Sequence, residues 1–221
     1  MKVDDGKRRQ MIRKIVGLHF SPNGGTARIT EQIVRELAAD LSEGNNEEIE
    51  CDCYDLYRQS GTRPEFGEDT VAVIGMPVRI GKLPLPALRA MQELHGSGAM
   101  TVAVVSYGSR TYGNAMYELY NYSEDQGFKV IGTGAFIAGH RDETDIPNRK
   151  EIGEFCDAAA AKLKRLCGSE IEGLKVKPAP MDICGNMPVH RISKISPKAA
   201  KLAEELCEKL CRSHREPEWF L

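Results

Sequence analysis

The chain predicts an α/β fold: a doubly wound parallel sheet of five strands in the order 2-1-3-4-5, followed by an extension that ends in a helix. Three observations predict it. Short apolar runs alternate with helical stretches from Lys14 to Cys167, and parallel neighbours need crossover connections of that kind. The runs are nearly unbroken in apolar character, as strands buried on both faces are. Glycine-bearing loops leave the carboxyl ends of the first, third and fourth runs, where open α/β sheets bind ligands.

In chain order, Met1 to Arg13 is a polar lead-in, and Ile15, Val16, Leu18 and Phe20 mark the first strand. A helix from Thr26 to Leu41 carries Thr30, Ile33, Val34, Leu37, Ala38 and Leu41 at helical spacing. Gly44, Asn45 and Asn46 break it, and Ile49 to Leu56 reads as the second strand. The stretch from Tyr57 to Asp69, with Gly61, Pro64 and Gly67, is a loop, and VAVIGM, Val71 to Met76, is a short buried strand. Pro84 or Pro86 opens a helix to Leu94. After Gly96, Ser97 and Gly98 come a fourth strand, Thr101 to Val105, and a helix from Thr111 to Glu124 with Ala115, Met116 and Leu119 inward. Phe128 to Ala138 is the fifth strand, and Asn148 to Cys167 is amphipathic through Ile152, Phe155, Cys156, Ala159, Leu163 and Leu166.

With 221 residues the chain holds one α/β domain, expected over 14–167, plus an appendage over 168–221. A formal charge of -2 and a pI near 6.2 leave no basic stripe, so nucleic acid is not an expected partner. No apolar run reaches membrane-spanning length and MKVDDGKRRQ has no apolar signal core, so the expectation is a cytoplasmic protein with no membrane contact. The seven cysteines are Cys51, Cys53, Cys156, Cys167, Cys184, Cys207 and Cys211. They form no CxxC pair, which removes zinc ribbons, thioredoxin motifs and cluster loops and leaves reduced thiols buried in a core. His19 reads as a sheet residue, and no Ser, His, Asp set or paired carboxylates can be assembled, so hydrolases have no residues to name.

The stretch IVGLHFSPNGGT, Ile15 to Thr26, organises the rest. Strand, hydroxyl- and glycine-rich turn, then helix places backbone N–H groups and a helix dipole around one point, which suits a phosphate. Gly24 and Gly25 allow close backbone approach, Ser21 and Thr26 offer hydroxyls, and Thr26 or Asn23 can cap the helix. The turn has no Lys beside a Ser or Thr and lacks three widely spaced glycines, so neither a Walker A loop nor a dinucleotide fingerprint fits.

Ser21 to Thr26 resembles the phosphate loop of flavodoxins, usually Ser or Thr, any residue, Thr, Gly, any residue, Thr, with Asn23 where Thr is usual. MPVRIGKLP and VSYGSRTYGNAM are similar to the matching stretches of flavodoxin domains fused to a ferredoxin-like iron–sulfur segment in anaerobic bacteria. Those relatives read Pro, Val, Tyr, Gly, Gly, Arg, Val, Pro after the third strand and Tyr, Gly, Asn, Arg, any residue, Tyr after the fourth. The resemblance implies bound flavin mononucleotide (FMN). Ser21, Asn23, Gly24, Gly25 and Thr26 would hold its phosphate. Pro77, Val78, Arg79, Ile80 and Gly81, with Ser106, Tyr107, Gly108, Ser109, Arg110 and Tyr112, would flank its ring. Arg79 replaces an aromatic and Ser109 replaces Asn. A guanidinium plane can stack on the ring or pair with its electron density.

Ile171 to Val189 is similar to the linker before the cluster module of the fused proteins, but the module is missing. Ser196 and Pro197 instead open a helix with Ala199, Ala203, Leu206, Cys207, Leu210 and Cys211 on one face, expected to pack on the domain or on a second subunit. The implied function is an FMN-binding electron carrier served by redox partner proteins, as monomer or homodimer. The alternatives are a flavin oxidoreductase using NAD(P)H or a quinone, and a non-redox module for another phosphate ligand.

Overall fold

The computed structural model describes residues 11–43, 48–58, 63–108, 111–138 and 149–168. Five strands, β1 (Lys14–His19), β2 (Glu50–Asp55), β3 (Thr70–Pro77), β4 (Met100–Tyr107) and β5 (Lys129–Ile137), form one sheet in the order β2-β1-β3-β4-β5. Every pairing is parallel. The helices are α1 (Gly25–Ser42), α2 (Leu85–Gln92), α3 (Ala115–Asp125) and α4 (Arg149–Gly168). This is the expected doubly wound sheet, a flavodoxin-like order.

Alternation along the strands sorts the core into two layers. Ile15, Val71, Val73, Val102 and Val104 face α1 and α4, where Ile29, Ile33, Leu37, Ile152, Cys156 and Leu163 meet them. Val16, Leu18, Ala72, Ile74, Ala103 and Val105 face the other way, onto Ala87 and Met91 of α2 and Met116 and Leu119 of α3.

Where the sheet meets α1, the chain needs a residue without a side chain. A Cβ on Gly75 would overlap the Thr30 hydroxyl and lie 3.2 Å from Thr30 Cβ and 3.4 Å from Thr26 Cγ2. Gly75 thereby lets the first turn of α1 lie flat on β3.

Two expectations shift. The third helix begins at Ala115 rather than Thr111, because Gly113 has φ 54° and residues 111–114 form a turn that docks on the loop after β3. Cys51 and Cys53 are exposed rather than core, since β2 is an edge strand with one neighbour. Burial and nearby carboxylates still hold both thiols in their protonated form, Cys53 pushed up to about 11. Cys184, Cys207, Cys211, the proline-bearing stretch and the C-terminal helix lie outside the described residues.

Candidate functional site

The loops after β1, β3 and β4 meet at one point above the carboxyl edge of the sheet. Thr26 and Ser106 join the first to the last by a hydroxyl–hydroxyl hydrogen bond of 2.7 Å, with both residues buried. Val78 N–H donates to the Ser106 carbonyl at 2.8 Å, and Phe20 N–H to that of Gly75 at 3.2 Å. Strands β1, β3 and β4 are neighbours, so each loop starts where the others do.

The turn between β1 and α1 has the character the sequence implies, with a different division of labour. Gly24 occupies the cap position in the left-handed region, φ 82° and ψ -20°, with no side-chain cap bond of its own. The hydroxyl of Ser21 accepts the Ala27 N–H at 2.9 Å, so a residue four positions before the helix serves its first turn. Asn23 and Thr26 are therefore not the caps; Thr26 lies inside the helix. The Arg28 amide closes onto Gly24 O at 3.0 Å. Among the described residues the amides of Gly25 and Thr26 have no acceptor, as expected for the first N–H groups of a helix. A Cβ built on Gly24 would find nothing within 4 Å. Open space, two unclaimed amides and the positive end of an 18-residue helix make this a cradle for an anion.

Hydroxyl bookkeeping adds donors. Ser21 uses a lone pair on Ala27 and keeps its proton, and of the two protons on Thr26 and Ser106 only one lies between them.

On the β3 side, Arg79 and Lys82 exchange both backbone hydrogen bonds, 2.8 and 2.9 Å, around Ile80 and Gly81. Both central residues have positive φ, 50° and 71°, as in a type I′ turn. Gly81 suits that geometry and Ile80 does not. Ile80 is 72% exposed. A left-handed L-residue costs roughly 1–2 kcal/mol, so Ile80→Asn, which creates an Asn-Gly turn, is expected to raise stability by about 1 kcal/mol. A melting temperature higher by about 2–4 °C checks this.

Pro77 ends β3 beside Ser106, and Arg79 is half-buried at the base of the turn. On the β4 side Tyr107 is half-buried and meets Tyr112 edge to face, ring centroids 5.5 Å apart, while Gly108 is exposed. Tyr112 also packs on the core layer of α2 and α3. Ser109 and Arg110 lie outside the described residues. Sequence reading passed over Gly113, Asn114 and Glu118, which hold the β3 turn from below; the Gly-Asn pair ahead of an apolar helical stretch was the available signal.

His19, the last residue of β1, is 5% exposed, and its Nδ1 has no hydrogen-bond partner. Asp55 of β2 lies 3.9 Å from Nδ1 and Glu31 of α1 3.8 Å from Nε2. Burial lowers its pKa below 6.5, against the pull of Asp55 and Glu31 and with Arg58 adding to it. The folded state thus favours neutral His19, and the unfolded chain takes up the proton first. Stability is lost as pH falls from 6.5 toward the lowered value, by at most about 1.4 kcal/mol per pH unit for one proton. Denaturant midpoints between pH 8 and 5 should fall more steeply for the wild type than for His19→Asn.

No protein-family model and no curated protein matches the sequence. Solved structures do match in fold. An NADH:FMN oxidoreductase in its apo form superposes with a TM-score of 0.51 at 10% identity, over 69% of this chain and 89% of that one. An oxidoreductase from Corynebacterium diphtheriae gives 0.50 at 15% identity, over 72% and 99%. A flavodoxin from the domain Archaea gives 0.46 at 16% identity, over 71% and 99%. The chain spans 37% of the length of a flavodiiron core from Synechocystis, with which it shares 13% identity. At such identities the likeness is one of fold alone: a flavodoxin-like α/β sheet.

Proposed function

We propose that the protein binds FMN at the carboxyl edge of β1, β3 and β4 and transfers electrons through it. One observation carries the reading: an open, left-handed glycine cap with unclaimed amides, bonded through Thr26 and Ser106 to the loop that would flank a ring. The donor chemistry fits a phosphate monoester. Ser21 O–H, the amides of Gly25 and Thr26, and the spare Thr26 or Ser106 proton can each hydrogen-bond its oxygens, and Asn23 is half-buried in the same turn.

Bound FMN supplies reversible uptake and release of two electrons. The chain's own residues hold and screen it. Pro77 to Gly81 would form one wall, and Tyr107, Gly108 and Tyr112 the other. Arg79 in place of an aromatic gives the first wall a cation that can face the electron-rich reduced ring. No side chain is assigned a proton-transfer role.

Electron carriage served by redox partner proteins, in the cytoplasm and as monomer or homodimer, is the reading favoured by the similarity to ferredoxin-fused flavodoxin domains. Among the described residues no helix is long and apolar enough to cross a membrane. An oxidoreductase using NAD(P)H or a quinone is the second reading, supported by the likeness to the NADH:FMN oxidoreductase.

The absorption spectrum of the purified protein tests the cofactor, and chromatography of the released chromophore identifies it. A yellow protein that releases FMN is expected; a colourless one that cannot be reconstituted overturns the proposal. Bleaching by NADH or NADPH alone selects the oxidoreductase, and reduction only through a second protein selects the carrier.

A further inference from the structure

The loop after β3 is held from the start of α3, and Glu118 supplies a side-chain link between them. Leu83 N–H donates to Glu118 Oε2 at 2.8 Å. Asn114 N–H donates to Gly81 O at 2.7 Å, and Glu118 N–H to Asn114 O at 3.0 Å. Gly113 presses on the turn from below: a Cβ there would lie 2.6 Å from both Gly81 Cα and Gly81 O. Two hydrogen bonds and one backbone contact, all from the start of α3, thus grip a two-residue turn.

The grip decides which turn atoms remain available. The Gly81 carbonyl is committed to Asn114, and the Arg79 and Lys82 peptides to each other. Among the described residues the Ile80 carbonyl and the Gly81 N–H have no partner. The turn therefore presents one peptide group outward, the one between Ile80 and Gly81, in an orientation set by α3.

We propose that Glu118 is a positioning residue, fixing the Ile80–Gly81 peptide against the polar edge of a bound flavin ring. This rests on the FMN reading above. Glu118 touches neither ring nor phosphate; it acts through Leu83 and the turn. Burial raises its pKa, opposed by the Leu83 N–H and by Lys82. Such a carboxylate is retained against a desolvation cost because it accepts that hydrogen bond.

The test compares wild type with Glu118→Ala, Glu118→Gln and Gly113→Ala by titration of flavin-stripped protein with FMN and riboflavin, and by two-electron midpoint potential. Glu118→Ala should weaken both flavins about tenfold and leave their affinity ratio, which reports the phosphate cradle, unchanged. Oxidised and reduced forms contact the turn differently, so the potential should move by up to about 30 mV, the equivalent of tenfold for a two-electron couple. Glu118→Gln keeps a carbonyl oxygen for Leu83 and should restore both values. Gly113→Ala, which displaces the turn without touching Glu118, should reproduce the alanine variant, and keeps the test open where Glu118→Ala fails to fold. Wild type binding neither flavin overturns the FMN reading. Wild type binding FMN, with potential and affinity unmoved in Glu118→Ala and Gly113→Ala, overturns the positioning role alone.

Discussion

Asn23→Asp is expected to weaken FMN binding about thirtyfold, to leave riboflavin binding unchanged and to raise the melting temperature slightly. Asn23 lies in the turn just before the left-handed Gly24. The substitution keeps size and shape and adds one negative charge. Two like charges roughly 7 Å apart at an effective dielectric near 20 repel by about 2 kcal/mol, which corresponds to that loss of affinity. The same charge favours the fold: the first turn of α1 carries no acid, and a carboxylate at a helix N-terminus contributes roughly 0.3–1 kcal/mol. Binding and stability thus move in opposite directions. A fall in both flavin affinities together would place Asn23 away from the phosphate. Parallel fluorescence titrations and a thermal melt read all three quantities.

The second large effect is on the fold. Gly75→Ala should destabilise by about 2–3 kcal/mol, seen as a melting temperature lower by roughly 5–10 °C. The added methyl cannot be met by rotating a flexible side chain. Its neighbours are the hydroxyl and Cβ of Thr30, and the hydroxyl is bonded to Thr26 O at 2.9 Å. Thr26 in turn carries the hydrogen bond to Ser106, so lifting α1 from β3 also parts the first loop from the last. Thr30→Ala removes the hydroxyl and should recover part of the loss in the double variant, giving a coupling energy above about 0.5 kcal/mol. Additive effects would show that α1 accommodates the methyl without Thr30.

The strands were legible because each central run is apolar on both faces: VAVIGM has no polar position to misplace, and only a strand covered by helices on both sides permits that. Order followed from the crossover rule and the placement of the glycine-bearing loops. What could not be read were contacts between distant segments. Nothing local marks Ser106 as the partner of Thr26, 80 residues away. Nor does composition show that Ser21 would accept the Ala27 amide while Thr26 turned inward. The start of α3 was misplaced for a similar reason. Thr111 to Asn114 has no strong breaker apart from Gly113, and its turn is stabilised by Gly81 from another loop. Gly75 offered the clearest unused signal, since a glycine inside a central strand marks close backbone approach. Ile80 carried the opposite one: a β-branched residue gives no hint of positive φ until the turn is seen.

In the proposed site the turn from Ser21 to Thr26 grips a phosphate with amides and hydroxyls. Equilibrium titration of the flavin-stripped protein with FMN and with riboflavin, which differ only in that group, tests it most directly. Two or more charge-assisted hydrogen bonds at about 1.5 kcal/mol each predict a preference for FMN of at least a hundredfold. Equal affinity for the two, or binding of neither, contradicts it.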